Sequence, residues 1–177
     1  MSMPTLEQLN AMDRVRFTAA LAGLFEHSPW IVEQAFSASP FASLAALHEA
    51  CLAAMRAAPP AAQLALINAH PDLAGKAARI GELTADSARE QSGAGLDRLS
   101  AAEFARFHGL NHAYREKFGF PFIICVRHHD RASIMDAFEQ RIGAARDAEI
   151  ATALSEISEI ARFRLLDLSS PWQEIER

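Results

Sequence analysis

Cysteine, glycine, proline and basic charge are all scarce in this sequence, and each scarcity closes off a class of protein. Two cysteines, Cys51 and Cys125, stand far apart among apolar residues and match no zinc or redox spacing. That excludes a disulfide scaffold and points to a reducing compartment. Lys and Arg number 17 against 22 Asp and Glu, a formal net charge of -5. The chain therefore offers no basic surface for a phosphate backbone, and nucleic acid is not an expected partner. No run approaches the ~20 apolar residues that cross a bilayer. The polar, mixed stretch Met1 to Asn10 lacks the charged start and apolar core of a signal peptide, and the closing Glu174-Ile175-Glu176-Arg177 is no peroxisomal address. A cytoplasmic protein with no membrane partner is the expectation. With 8 Gly and 8 Pro, no repeat and no linker-like stretch, the 177 residues read as one domain, 1–177. That length buries a core without disulfides or metal. A Gly-rich phosphate loop, a G-x-S-x-G elbow and a dinucleotide fingerprint are missing as well.

What is present is hydrophobic periodicity. Half of the residues are hydrophobic and many are alanine, and their spacing predicts an all-α fold, a single compact multi-helix domain. Val15, Thr18 or Ala19, Ala22 and Phe25 recur at helical spacing after Asp13. Ser28 before Pro29 predicts an N-cap with proline at the first helical position. Ser43 caps a segment with Leu44, Leu47, Cys51 and Met55 on one face, ending at Pro59-Pro60. A helix from Pro60 towards Ala69 is broken by Pro71, because the residue before a proline is pushed out of the α region. His70 thus sits at a helix junction.

Further along, Ser100-x-x-Glu103 has the spacing of a capping box. The stripe Phe104, Phe107, Asn111, Tyr114, Phe118 marks the helix behind it, and Gly119 stops it. Phe120 to Val126 is rich in aromatic and β-branched residues, but Pro121 argues against a central strand. It reads as a short, buried, extended connector near 120–126. Ser133 opens another helix towards Ile142. The last, from near Asp147 to Leu168, repeats Ile150, Leu154, Ile157, Ala161, Arg164 and Leu168 at intervals of three and four.

Three places carry chemistry that packing alone does not require. A histidine just ahead of a proline that opens a helix, the setting read for His70, lies near free N–H groups and the positive end of a helix dipole, which favours the neutral ring; a hydrogen-bonded structural histidine is the plain alternative. Ser87, Glu90 and Gln91 fall at i, i+3 and i+4 on the helix predicted after Thr84, so a hydroxyl, a carboxylate and an amide share one face. Unless that face is merely solvated, Glu90 can orient His70 and raise its pKa, leaving the second ring nitrogen for substrate as a general acid/base. Arg164 lies on the apolar stripe of the last helix, either snorkelling out or turned toward a buried anion. His108 and His112 have the i, i+4 spacing of a metal-binding helix, but Gly109 stands where a metalloprotease carries its Glu. A metal hydrolase completed by His128 or His129 is therefore a weaker rival, and no metal is expected. Adjacent His128 and His129 read as a polar turn, and Cys125 as packing.

The ordered set His70-Pro71-Asp72-Leu73-Ala74, Ser87-x-x-Glu90-Gln91-x-x-Ala94-Gly95-Leu96 and Phe118-Gly119-Phe120-Pro121-Phe122-Ile123-Ile124-x-Val126-Arg127 resembles the 2-oxo-4-hydroxy-4-carboxy-5-ureidoimidazoline (OHCU) decarboxylases of uric acid breakdown. The likeness runs from Leu9 to Leu168 and is densest from His70 to Arg127. It implies a compact helical fold, usually a homodimer, that converts the small ureidoimidazoline to (S)-allantoin and carbon dioxide without a cofactor. It further implies that His70 is the catalytic acid/base and that Pro71 and the segment Ser87 to Gln91 contact substrate. Phe122, Ile123, Ile124, Cys125 and Val126 would line the ring, and Arg164 would meet an anionic or carbonyl group. A helical ureide-binding protein that has lost turnover is the rival from another functional class.

Overall fold

The computed structural model describes residues 4–75 and 81–173, with side chains as far as Leu168. Among these residues there are nine α-helices, two 3-10 turns and no strand, so the chain forms the all-α architecture that its periodicity predicts. In chain order the helices are α1 Leu6–Asn10, α2 Arg14–Ala20, α3 Trp30–Ala35, α4 Leu44–Ala57, α5 Pro60–Asn68, α6 Ala85–Gly93, α7 Ala101–Phe118, α8 Arg131–Arg141 and α9 Arg146–Gln173. The 3-10 turns span Phe36–Ala38 and Val126–His128. No single described helix is long and apolar enough to cross a membrane. Two compact units emerge, one from the residues up to Leu66 with those from Ser158 onward, the other Ile67–Ile157.

The first unit opens with α1, which hydrophobic periodicity misses. Its signal is Thr5-x-x-Gln8, a capping box in which the Thr5 hydroxyl accepts from the Gln8 N–H at 3.2 Å and Gln8 Oε1 accepts from the Thr5 N–H at 2.8 Å. Asp13 caps α2 as expected, but the buried face differs from the predicted one. Phe25 is buried as predicted, but Val15 is 78% exposed and Ala19 and Ala22 are exposed, while Phe17, Leu21 and Leu24 are buried in their place. Larger side chains remove more apolar area from water than the Val15 register does, and they set the helix rotation. Phe17 then meets Phe36 at 5.3 Å and Phe41 at 5.8 Å between ring centroids. Pro29 enters α3 in helical dihedrals with no side-chain cap, so the Ser28 hydroxyl does not play the expected role. The Ile31 N–H bonds the Ser28 carbonyl. Ser43 does cap α4, accepting from the Ala46 N–H at 3.1 Å, and that helix buries Leu47, Cys51, Leu52 and Met55. Burial pushes the Cys51 thiol up to about 12, which makes it packing rather than a nucleophile.

The second unit is built on α7. The Ser100 capping box is formed, and Gly119 ends the helix in the left-handed region at φ 79°, where glycine has no Cβ penalty. Phe107, Tyr114 and Phe118 are buried on its inner face. The sequence predicts a buried, extended connector over Phe120 to Val126; the segment is buried and has no helix before Val126, and Cys125 is extended at φ -75° and ψ 92°. Phe122 stacks on Phe138 of α8 at 3.7 Å and meets Tyr114 edge-on at 5.3 Å. α8 starts earlier than Ser133 suggests, because Asp130 is its N-cap and Ser133 is the third residue of that capping box. The buried positions of α9 are Glu149, Ala153, Ile157, Ala161, Arg164 and Leu165, while Ile150 and Leu154 are half-buried. Within the second unit, Glu149 fixes this register by reaching Tyr114 and Arg141.

Candidate active site

The His70 loop leaves α5 through a hydrogen bond from the His70 N–H to the Ile67 carbonyl at 3.2 Å, and His70 is 6% exposed. Pro71 opens no helix here. Residues 71–75 form a turn in which the Gly75 N–H bonds the Asp72 carbonyl. The helix-dipole argument for a neutral ring therefore falls, and the ring's surroundings come from packing and loop geometry. Ala74 is held at φ 48°, a left-handed conformation that costs an alanine about 1 kcal/mol or more. At Gly75 an added Cβ would lie 2.8 Å from the Asp72 Cβ, so only glycine closes the turn without a shift.

Side chains of two helices clamp this loop. Gln91 Oε1 accepts from the Ala74 N–H at 2.9 Å, Asn111 Nδ2 donates to the Leu73 carbonyl at 2.8 Å, and Arg115 Nε donates to Asp72 Oδ1 at 2.8 Å. The Oδ1 atom of Asn111 is buried with no hydrogen-bond partner among the described residues. Because the Ala74 N–H occupies Gln91 Oε1, the amide's orientation is set and its Nε2 is the end left to donate.

Thr84 caps α6 by accepting from the Ser87 N–H, as its sequence position predicts. Ser87 and Gln91 are buried on one face, and Glu90 is half-buried beside them. The bond from Ala74 to Gln91 ties that face to the His70 loop, and α6 packs beside the 3-10 turn Val126–His128 at the end of the connector. All three motifs that stand apart in the sequence therefore meet around α6.

Two side chains grip the connector backbone. Arg141 Nη1 donates to the Ile123 carbonyl at 2.7 Å, with its guanidinium 4.3 Å from the centroid of the Phe122 ring. Glu156 Oε2 accepts from the Cys125 N–H at 2.7 Å. Arg141 is in turn fixed by Glu149, to which the Tyr114 hydroxyl donates. Burial first, and the adjacent Glu149 carboxylate second, push the Tyr114 hydroxyl well above its ordinary range, so it stays a donor.

Arg164 lies in the first unit, 4% exposed, with Nη1 donating to Glu26 Oε2 at 3.1 Å and to the Gly23 carbonyl at 3.1 Å. Its charge is turned toward a buried anion, and the snorkelling alternative is not what the chain adopts. His108 and His112 are exposed, and His112 stands 3.5 Å from Glu116. Among the described residues no three His, Cys, Asp or Glu form a ligand group, so the hydrolase rival has no site there. Sequence reasoning misses the groups that shape the loops. Asn111 was a polar residue on an otherwise apolar stripe, which is a usable signal. Arg141 and Glu156 act through contacts that no local pattern encodes.

A family profile described as OHCU decarboxylase matches residues 10–166. The chain is 41% identical over 171 residues to the 2-oxo-4-hydroxy-4-carboxy-5-ureidoimidazoline decarboxylase of Halalkalicoccus jeotgali, covering 97% of this chain and 95% of that one. It is 38% identical over 161 residues to the mouse enzyme of the same name, covering 91% and 90%. Its fold matches a crystal structure of (S)-allantoin synthase with a TM-score of 0.74 and 27% identity, over 93% of this chain and 54% of that one. This chain belongs to the OHCU decarboxylase family.

Proposed function

We infer that this protein is a cofactor-independent decarboxylase that converts OHCU to (S)-allantoin and carbon dioxide in uric acid degradation. The geometric support is the single bond from the Ala74 N–H to Gln91, which joins the His70 loop to the helix face carrying Ser87 and Glu90. The chemistry suits these groups. Decarboxylation needs an acceptor for an electron pair, and this substrate contains one in its ring C=N. The bond from carbon 4 to the carboxylate breaks, its pair forms a C4=C5 bond, and the C=N π pair moves to nitrogen, which takes up a proton. The C4 hydroxyl then loses its proton to become a carbonyl, and carbon 5 gains one to become the new stereocentre. A buried imidazole is suited to handling the hydroxyl proton, with Glu90 as its orienting carboxylate. In this proposal Pro71, Ser87 and Gln91 contact the substrate, and Phe122, Ile123, Ile124, Cys125 and Val126 line its ring. Apolar walls favour neutral carbon dioxide over the carboxylate it leaves.

For Arg164 the geometry supports an ion pair with Glu26. The substrate contact that the resemblance implies for it is put to the test below with a double variant. A homodimer and a cytoplasmic location complete the proposal, the first checked by light scattering. The deciding experiment is His70→Asn with fresh OHCU, read by circular dichroism of the product. Turnover should fall by about 100-fold or more, the range of a lost general acid/base, with the helical spectrum unchanged. Near-normal formation of one hand of allantoin would overturn the role of His70.

A further inference from the structure

We propose that Asp72 is a positioning residue for His70, gripped by Arg115 and coupled to the histidine through the stiff Pro71 link. The proposal rests on the functional reading above and deepens it. The turn after His70 is tied to α7 at two neighbouring residues: Asn111 Nδ2 donates to the Leu73 carbonyl and Arg115 Nε donates to Asp72 Oδ1, each at 2.8 Å. Asn111 and Arg115 stand four residues apart on α7, which places them on one face of the helix. Gly75 closes in on the other end of the Asp72 side chain, so near that an added Cβ would lie 2.8 Å from the Asp72 Cβ. Asp72 is thus packed at its Cβ and bonded at its carboxylate.

The residue between carries this grip to the histidine. Proline has its own φ locked by the ring and keeps the residue before it out of the α region, and the peptide planes themselves resist twisting. The path from the Asp72 backbone through Pro71 to His70 therefore has few soft torsions, and a displacement of Asp72 is passed on. A residue with a free φ at 71 would absorb part of it. The far end of the path is anchored by the His70 N–H on the Ile67 carbonyl at 3.2 Å. Arg115 itself lies in the last turn of α7, where the helix C-terminus favours a cation. Its side chain is 41% exposed and that of Asp72 29% exposed. Ion pairs so open to solvent add little to stability, which makes this one separable from the fold: its loss should register in the chemistry and not in the melt.

The test uses the full-length protein with OHCU as substrate, and in parallel the His70 ring signal of 13C-histidine-labelled protein, identified by its loss in His70→Asn. Arg115→Ala and Asp72→Ala should each lower kcat about tenfold, within the range that misplacing a reacting group costs, and move the His70 signal. KM should change far less, and the melting temperature should stay within a few degrees of wild type. Asp72→Asn, which keeps an oxygen to accept from Arg115 Nε, should restore kcat to near the wild-type rate. Asp72→Ala combined with Arg115→Ala should be no slower than either alone, because both break one contact. Arg115→Ala with wild-type kcat, a His70 signal that stays in place, or a combined variant slowed by the product of the two single effects would each overturn the proposal. A wild type that leaves OHCU at its spontaneous rate of decay, with the His70 signal still displaced in Arg115→Ala, would instead retain the positioning role and overturn the decarboxylase reading.

Discussion

Two loops in this molecule are held by carboxamide side chains, and they are held differently. In the first unit Asn10 uses both ends on the backbone of one residue: Nδ2 donates to the Phe41 carbonyl and Oδ1 accepts from the Phe41 N–H, each at 2.8 Å. That clip engages the amide at both ends. In the second unit two amides hold the turn after His70 by one end each. Gln91 spends its oxygen on Ala74, Asn111 spends its nitrogen on Leu73, and the Asn111 oxygen stays buried without a partner among the described residues. The contrast separates a loop whose amide is engaged at both ends from one held with polar capacity in reserve.

The largest effect that probes this contrast belongs to the other closed arrangement of the first unit, the buried pair of Arg164 and Glu26. Arg164→Ala removes the cation beside the Glu26 carboxylate, which is 3% exposed, and should cost about 3–5 kcal/mol of stability by thermal or urea melts. Combining Arg164→Met with Glu26→Leu should recover most of that loss. If kcat/KM recovers with it, Arg164 serves the fold alone. A stable double variant with poor kcat/KM establishes the substrate contact.

Next in size are the clips themselves. Asn10→Leu removes the partners of both the Phe41 N–H and the Phe41 carbonyl and should cost about 1–3 kcal/mol, with KM and kcat per folded molecule unchanged. Asn111→Leu loses the bond to Leu73 but also removes an orphaned buried oxygen, so its stability change should stay within about 1 kcal/mol, while kcat/KM falls. Equal behaviour of the two variants in both assays would break the comparison.

The smallest effect is one of pH and belongs to the packed interior of the first unit. Burial raises the Cys51 thiol from 9.0 to about 12. An acid whose folded pKa is raised keeps the fold fully stable below its unfolded value and withdraws stability as pH climbs toward the folded one. Melting temperature should therefore decline above pH 9, and Cys51→Ala should make that decline shallower.

Local signals in the sequence carried a good part of this structure. Ser43, Thr84, Ser100 and Gly119 mark helix ends where they stand, because a cap involves residues three or four apart and needs no knowledge of the rest of the chain. Burial of Phe120 to Val126 was equally plain from composition. Rotation of α2 and the early start of α8 were not, since both depend on which neighbours a face meets. Arg164 was conspicuous on its stripe, yet its partner Glu26 lies 138 positions away. The same holds for the site: residue types at 70, 87, 90 and 91 announce chemistry, whereas Asn111, Arg141 and Glu156 acquire meaning only once the backbone they grip is in place.

The left-handed alanine at 74 has a consequence for timing. An unfolded chain seldom visits that conformation, so the peptide after the histidine turn relaxes elsewhere unless Gln91 is there to receive it. Docking of α6 thus acts as a latch that keeps the turn after His70 in a conformation it would otherwise leave.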